Sequence, residues 1–345
     1  MVQPAAGALR RAPIFASSSP FAPILLAVVI LAAGVSLTVG PAPIRTGAVF
    51  AALAGHGDAI DTDIVMQIRA PRAVLAVLIG GMLGLAGAAL QGLLRNPLAD
   101  PAVIGTSNAA ALGAVIALYF GLAKTFPMAL PLMAVAGALI GLAALLPMAR
   151  RGEGPSTLIL AGVAVSALAG AGVSLALNLA PNPYAVSEIA FWLLGSLTDR
   201  SVQHLILAAP LILVGGGLIL GQARALDALA LGEDGARSLG FDLGRVRLTI
   251  VAGLALGVGA AVAVSGAIGF VGLIAPHLVR PFTDGRPSRT LVPSALAGAA
   301  LLSVADVVVR LIPTQTELRL GVVTAFLGAP MFIFILLRDG RWSRS

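Results

Sequence analysis

The chain contains no cysteine, which excludes disulfides, thiolate metal sites and cysteine nucleophiles. It has a single lysine, Lys124, and no G-x-x-x-x-G-K-[ST] run surrounds it, so the chain lacks a Walker A nucleotide site of its own. Histidine is nearly as sparse: His56, His204 and His277 stand far apart, with no second ligand at a metal-binding spacing. No Ser/His/Asp arrangement can be read either, so a membrane enzyme lacks its catalytic set. Charge is scarce, at 11% of 345 residues, whereas soluble domains carry about 25%. With 58% hydrophobic residues and 41 glycines, there is too little polar surface to cover a water-soluble fold. The formal charge of +7 has no basic cluster interleaved with aromatics, so nucleic acid is not an expected partner.

What is present is a succession of apolar runs of membrane length. Between Arg72 and Arg95 lie 22 residues without a charge, enough at about 1.5 Å per residue to cross a hydrocarbon core of about 30 Å. Gly80, Gly81, Gly84, Gly87, Ala88 and Gly92 stud this run, and small residues let helix backbones approach closely where lipid removes the hydrophobic drive. Apolar runs at 21–40, 72–94, 102–121, 126–148, 156–180, 203–221, 247–267, 269–281, 291–311 and 320–337 predict an all-α polytopic membrane protein of about ten helices. The first run is longer than a signal-peptide core and reads as a retained helix. The eighth is short and follows the seventh through Gly266 and Gly269, as a bent or half-spanning element would.

In this ten-helix topology, 15 basic residues fall on one side and 7 on the other, which makes the first side cytoplasmic and puts both termini inside. Residues 1–20 and 339–345 are then cytoplasmic tails, and 21–338 form one transmembrane domain. The connection from Gln222 to Arg247 alternates leucines with charges and is cut by glycines, which predicts one or two short amphipathic helices. Its mixed charges favour a soluble cytoplasmic partner over anionic lipid.

Several runs together, in order and spacing, carry a family resemblance: RAPR, GAALQGLLRNPLADPAVIGTS, LALGEDGARSLG, VSGAIGFVGLIAPHLVR, AD-x-x-x-R and ELRLGVVTAFLGAPMFIFILL. Over residues 68–338 the chain closely resembles the permease subunits of type II ABC importers for iron-siderophores, haem and cobalamin. The resemblance implies a permease in the cell inner membrane, surrounded by lipid and paired with a second copy or a related permease. Two cytoplasmic ATPases, which use ATP and Mg, would sit beneath it, and a periplasmic or extracellular binding protein would deliver substrate from outside. No cofactor or metal is expected on this chain. Arg69, Arg72 and Arg310 match positions that face the binding protein, although Asp306 stands one turn before Arg310 and could pair with it instead. Leu231, Gly232, Glu233, Ala236, Arg237, Leu239 and Gly240 match the segment that seats in the ATPase. Asn96, Pro97, Leu98 and Ser156 fall where the pathway narrows on the cytoplasmic side, and the prolines there call for a loop in any case.

Two departures from the family pattern stand out. Ala109 occupies a position where glycine is frequent, and Arg319 replaces a usual proline in ELRLG. GAALQGLLRNP and GAIGFVGLIAP also begin alike, which suggests an inverted repeat of helices 2–5 and 7–10. An ion-coupled carrier is the alternative of another class. It would need an intramembrane carboxylate, and only Asp306 qualifies.

Overall fold

The computed structural model describes residues 21–150, 155–313 and 317–339. Most of the expected tail regions, 1–20 and 340–345, lie outside them. In chain order the helices are α1 Phe21–Thr38, α2 Thr46–Leu53, α3 Ala59–Asp63, α4 Ala70–Leu94, α5 Thr106–Tyr119, α6 Leu122–Thr125, α7 Ala129–Arg150 and α8 Pro155–Asn178. There follow α9 Pro183–Leu193, α10 Val202–Leu220, α11 Ala223–Leu229, α12 Glu233–Ser238, α13 Leu243–Ser265, α14 Val271–Val279, α15 Pro287–Leu311 and α16 Leu320–Asp339. Each of the ten apolar runs is helical. Among the described residues, seven helices are long and apolar enough to cross a bilayer, while α5 and the apolar part of α16 are shorter and α14 has only nine residues.

Local chemistry sets the boundaries. Arg95 closes α4 in the left-handed region at φ 49°, with its N–H bonded to the Gln91 carbonyl, just before Asn96 and Pro97. Asp242 caps α13 by accepting the N–H of Arg245 at 3.1 Å. The chain breaks between Gly266 (φ 71°) and Phe270 (φ 68°), which is why the seventh and eighth apolar runs form two helices. The sequence reading missed α2, α3, α6 and α9. They are too short to span, and α9 opens with a Pro183 that follows the capping Asn182.

Apolar windows in α4 and α13 are each 78% buried, whereas those in α1 and α8 are 17% buried, so the former are the axis of the bundle and the latter its rim. At the axis, backbones touch. A methyl group added at Gly84 would lie 2.1 Å from the Ser294 carbonyl oxygen, and one at Gly298 would lie 2.2 Å from that of Gly80. The α5–α7 contact is similar: Ala109 packs with its carbonyl against Gly137 and its methyl against Gly141, so alanine is accommodated at this departure from the family glycine. Packing partners recur in pairs. α4 packs along α15 as α13 packs along α7, α5 touches α7 and α8 as α14 touches α15 and α16, and α13 meets α5 as α4 meets α14.

This close approach makes Gly84→Ala disruptive. The expected outcome is a lower melting temperature in detergent and a loss of monodisperse protein, on the scale of overpacking at about 1–3 kcal/mol. Gly217→Ala, where the added methyl would meet nothing within 4 Å, should be neutral or slightly stabilising.

Candidate functional site

Arg69, Arg72 and Arg310 do come together, at the end of the bundle where α4 begins. They are not free cations at the surface. Arg69 is 3% exposed and donates to the carbonyls of Leu37 and Thr38 at 2.9 and 3.0 Å and to that of Ala42, so it ties off the C-terminus of α1. Arg72 makes a two-pronged contact with Asp306, from Nε at 2.9 Å and Nη2 at 2.8 Å, and also holds Glu317. Arg310 pairs with Asp306 at 2.9 Å one turn apart and donates to the Ser36 and Val39 carbonyls and the Ser36 hydroxyl. Asp306 is fully buried between the two arginines. In the absence of any partner chain their guanidinium groups turn inward, because α1, α15 and the segment before α16 supply the acceptors.

Glu317 extends the network to the α9–α10 connection. Its carboxylate accepts a hydrogen bond from the Thr198 side chain, and Thr198 pairs with the Ser196 hydroxyl at 2.7 Å. Burial alone would raise the Glu317 carboxyl, but the hydrogen bond and charge of Arg72, with help from Thr198 and Arg310, hold it below the usual carboxylate range.

At the opposite end of α4 lies the segment from Gln222 to Arg247. Two glycines shape it: Gly232, at φ 100°, starts α12, and Gly240, at φ 86°, lets the chain leave it. Leu231 is 74% exposed and Leu239 61% exposed, whereas Ala236 is fully buried and packs inward with α11 and α13. Of the residues that the sequence reading groups in this segment, Ala236 is thus the one whose side chain is spent on internal packing. The surface of this knob is made by Leu231, Asp234, Arg237, Ser238, Leu239 and Gly240. Its attachment is stiff. Asp227 on α11 accepts the backbone N–H and the hydroxyl of Ser288 at 2.9 and 2.6 Å, which joins it to the start of α15. Glu233 on α12 pairs with buried Arg247 of α13 at 2.7 Å and with Arg237 at 3.1 Å.

Asn96, Pro97 and Leu98 form an exposed turn, in which Asn96 Oδ1 accepts the N–H of Leu98 at 2.9 Å. The turn borders a cleft of about 320 Å³ lined by Gln91, Arg95, Pro97, Ala230, Arg280 and Pro287, so it shares a wall with the knob. Arg280 Nη2 donates to Gln91 Oε1 across this cleft at 2.6 Å. Ser156 is exposed at the start of α8 and does not line it. The three histidines keep local partners, such as the Ala54 carbonyl for His56 and Ser201 for His204. Among the described residues, no group of three or more His, Cys, Asp or Glu side chains could hold a metal ion.

Two outcomes follow for the arginine end. Arg72→Met, which strands part of the charge on Asp306, should cost about 3–5 kcal/mol of unfolding free energy in mixed micelles, with a large coupling to Asp306→Asn in a double-mutant cycle. Because the folded state depresses the Glu317 carboxyl, its contribution is present above the unfolded carboxylate pKa and fades as pH falls through the lower folded value. Acid-dependent melting should therefore flatten in Glu317→Gln.

The sequence model of the FecCD transport family matches residues 25–338. An uncharacterized ABC transporter permease protein, YvrB of Bacillus subtilis, is 43% identical over 297 residues, which cover 84% of this chain and 83% of the relative. The vitamin B12 import system permease protein BtuC of Vibrio cholerae is 43% identical over 285 residues, covering 81% of this chain and 84% of its own. A solved metal-chelate type ABC transporter in an inward-facing conformation superposes with a TM-score of 0.80 at 28% identity, over 92% of this chain and 99% of that one. With its apolar helical bundle and these matches across nearly the whole length, the chain belongs to the FecCD transport family.

Proposed function

We propose that this chain is the membrane-spanning permease subunit of an ATP-driven importer, working in the inner membrane as one of a pair, with both termini cytoplasmic. ATP and Mg are used by two cytoplasmic ATPases, and a soluble binding protein delivers a metal chelate such as a siderophore complex, haem or cobalamin. Ten spans arranged as an inverted repeat account for the recurring pairs of packing partners, with α4, α5, α7 and α8 answering to α13, α14, α15 and α16. The observation that carries the reading is the knob of α11 and α12, which leaves two flanking leucines exposed while hydrogen bonds and an ion pair fix it to α15 and α13.

The mechanism is a lever. A cleft in the ATPase takes Leu231 and Leu239, and closure of the ATPases on ATP displaces the knob. Asp227–Ser288 and Glu233–Arg247 pass the motion to α15 and α13. The contacts at Gly80, Gly84 and Gly298 make α4 follow α15, and α4 ends at the Asn96–Leu98 turn beside the knob. Substrate meets mostly apolar walls, which suits a pathway whose affinity resides in the binding protein.

At the opposite end, three arginines and two carboxylates leave the cluster one positive charge in excess, and Glu317 is the more exposed of the two carboxylates. In this reading an acidic residue of the binding protein competes with Glu317 for Arg72, and Arg69 and Arg310 hold the frame. An ion-coupled carrier fits less well, because Asp306 is already held by two arginines.

Leu231→Asp combined with Leu239→Asp should weaken association of the ATPase by roughly tenfold or more, since buried apolar anchors dominate such interfaces. ATP-driven uptake into proteoliposomes should fall with it while the permease stays folded. Unchanged co-purification and uptake would refute the docking surface.

A further inference from the structure

A second polar cavity, of about 210 Å³, lies between α9, the α9–α10 connection and the residues leading into α16. Three glycine contacts hold its walls. A methyl group at Gly195 would lie 2.5 Å from the Ala267 carbonyl, one at Gly266 would lie 2.3 Å from that of Trp192, and one at Gly321 would lie 2.3 Å from that of Leu194. Ser196 N–H donates to the Ser265 carbonyl at 2.7 Å, and Gly321 N–H to that of Leu194 at 3.1 Å. The cavity is therefore built where the ends of α9, α13 and α16 meet. Thr198–Arg200 and Glu317–Arg319 are the two chain segments that join it to the arginine cluster.

Its polar lining is rich in donors. Arg200 and Arg319 both line it, and the Arg319 guanidinium lies over the Phe191 ring at 5.1 Å from the centroid, which fixes that cation in the wall. Two buried N–H groups of lining residues, Trp192 Nε1 and Arg200 Nε, have no hydrogen-bond acceptor among the described residues. Both can only donate, and a buried donor without an acceptor is costly. Carboxylates also border the cavity, but Glu188 and Asp199 are exposed to solvent and leave these two donors unanswered. Paired guanidinium groups, an indole N–H and an aromatic wall make a receptor for a small oxyanion, above all a carboxylate.

We propose that this cavity is a carboxylate-binding site that takes a carboxylate arm of the transported chelate as it enters at the arginine end. The assignment rests on the importer reading and narrows it, since the favoured cargo carries free carboxylates. Arg319, the cation that stands in place of the family proline, is its specificity residue. Arg200 and Trp192 complete the set of donors.

The test uses the full chain in lipid nanodiscs at low ionic strength. Trp342→Phe leaves Trp192 as the one remaining tryptophan, because the sequence has two. Citrate should change its fluorescence saturably, and trimethyl citrate, which has the same skeleton without the charges, should not. Arg319→Gln and Arg200→Gln should each weaken citrate binding by about tenfold, with melting temperatures measured in parallel to establish folding. A flat titration in the folded parent protein, an equal response to the ester, or unaltered binding in both glutamine variants would overturn the site. If citrate has no effect but the glutamine variants lose affinity for the binding protein, the occupant is an acidic side chain of that partner and the proposal fails. Uptake by the reconstituted complex separates the two readings. Transport of ferric citrate and cobalamin that is unaffected by Arg319→Gln, together with a flat titration, removes the site and leaves the importer. Saturable citrate binding without ATP-driven uptake of either compound removes these two chelates as cargo and leaves the anion site.

Discussion

A single buried carboxylate organises one end of this bundle. Asp306 has no exposed surface, and within an apolar bundle a lone charge of that kind is prohibitive. Arg72 from α4 and Arg310 from its own helix neutralise it, and each arginine then reaches outward for its remaining acceptors. Arg310 takes the end of α1 through Ser36 and Val39, while Arg72 takes Glu317 and with it the approach to α16. Arg69 adds the turn after α1. Four parts of the chain that hydrophobic packing alone would leave free to slide are thereby fixed in register, because charges and carbonyls are directional where lipid and leucine are not.

From this anchored end, the axis of α4, α13 and α15 runs to the knob at the other. Its glycine contacts put backbone against backbone, which resists bending and transmits displacement. The rim helices α1 and α8 are held by fewer buried contacts. A stiff centre with a firmly bonded knob at one end and a charge lock at the other is what the proposed alternating access needs: motion imposed on one end must arrive at the other without being absorbed between them.

Much of this was legible in the sequence. The ten apolar runs are all helical because uninterrupted apolar length is a strong signal, and the breaks at Arg95–Pro97 and Gly266–Phe270 coincide with glycine and proline chemistry. Asp306 and Arg310, four residues apart, announced their own pairing. The inward turn of Arg69 and Arg72 was not legible, since their acceptors lie about 30 residues away in α1 and more than 230 away in α15, and nothing in the local pattern points to them. The burial of Ala236 was hidden for another reason: in a six-residue helix one alanine carries no periodicity, and it is the ion pair from Glu233 to Arg247, 14 residues on, that fixes which face turns inward. Helix α9 was missed because it is too short to span and too apolar to read as a loop.

The central claim is that the knob of α11 and α12 moves as one body with α13 and α15 when ATP is bound. The absence of native cysteine allows clean spin labelling. Cysteines at exposed Ser238 on α12 and partly exposed Arg289 on α15 would carry labels whose distance within one copy is measured by pulsed electron resonance, with and without ATP in the reconstituted complex. The account predicts that this distance is unchanged while the Ser238 to Ser238 distance between the two copies shifts. A change within one copy, with α15 stationary, would contradict it.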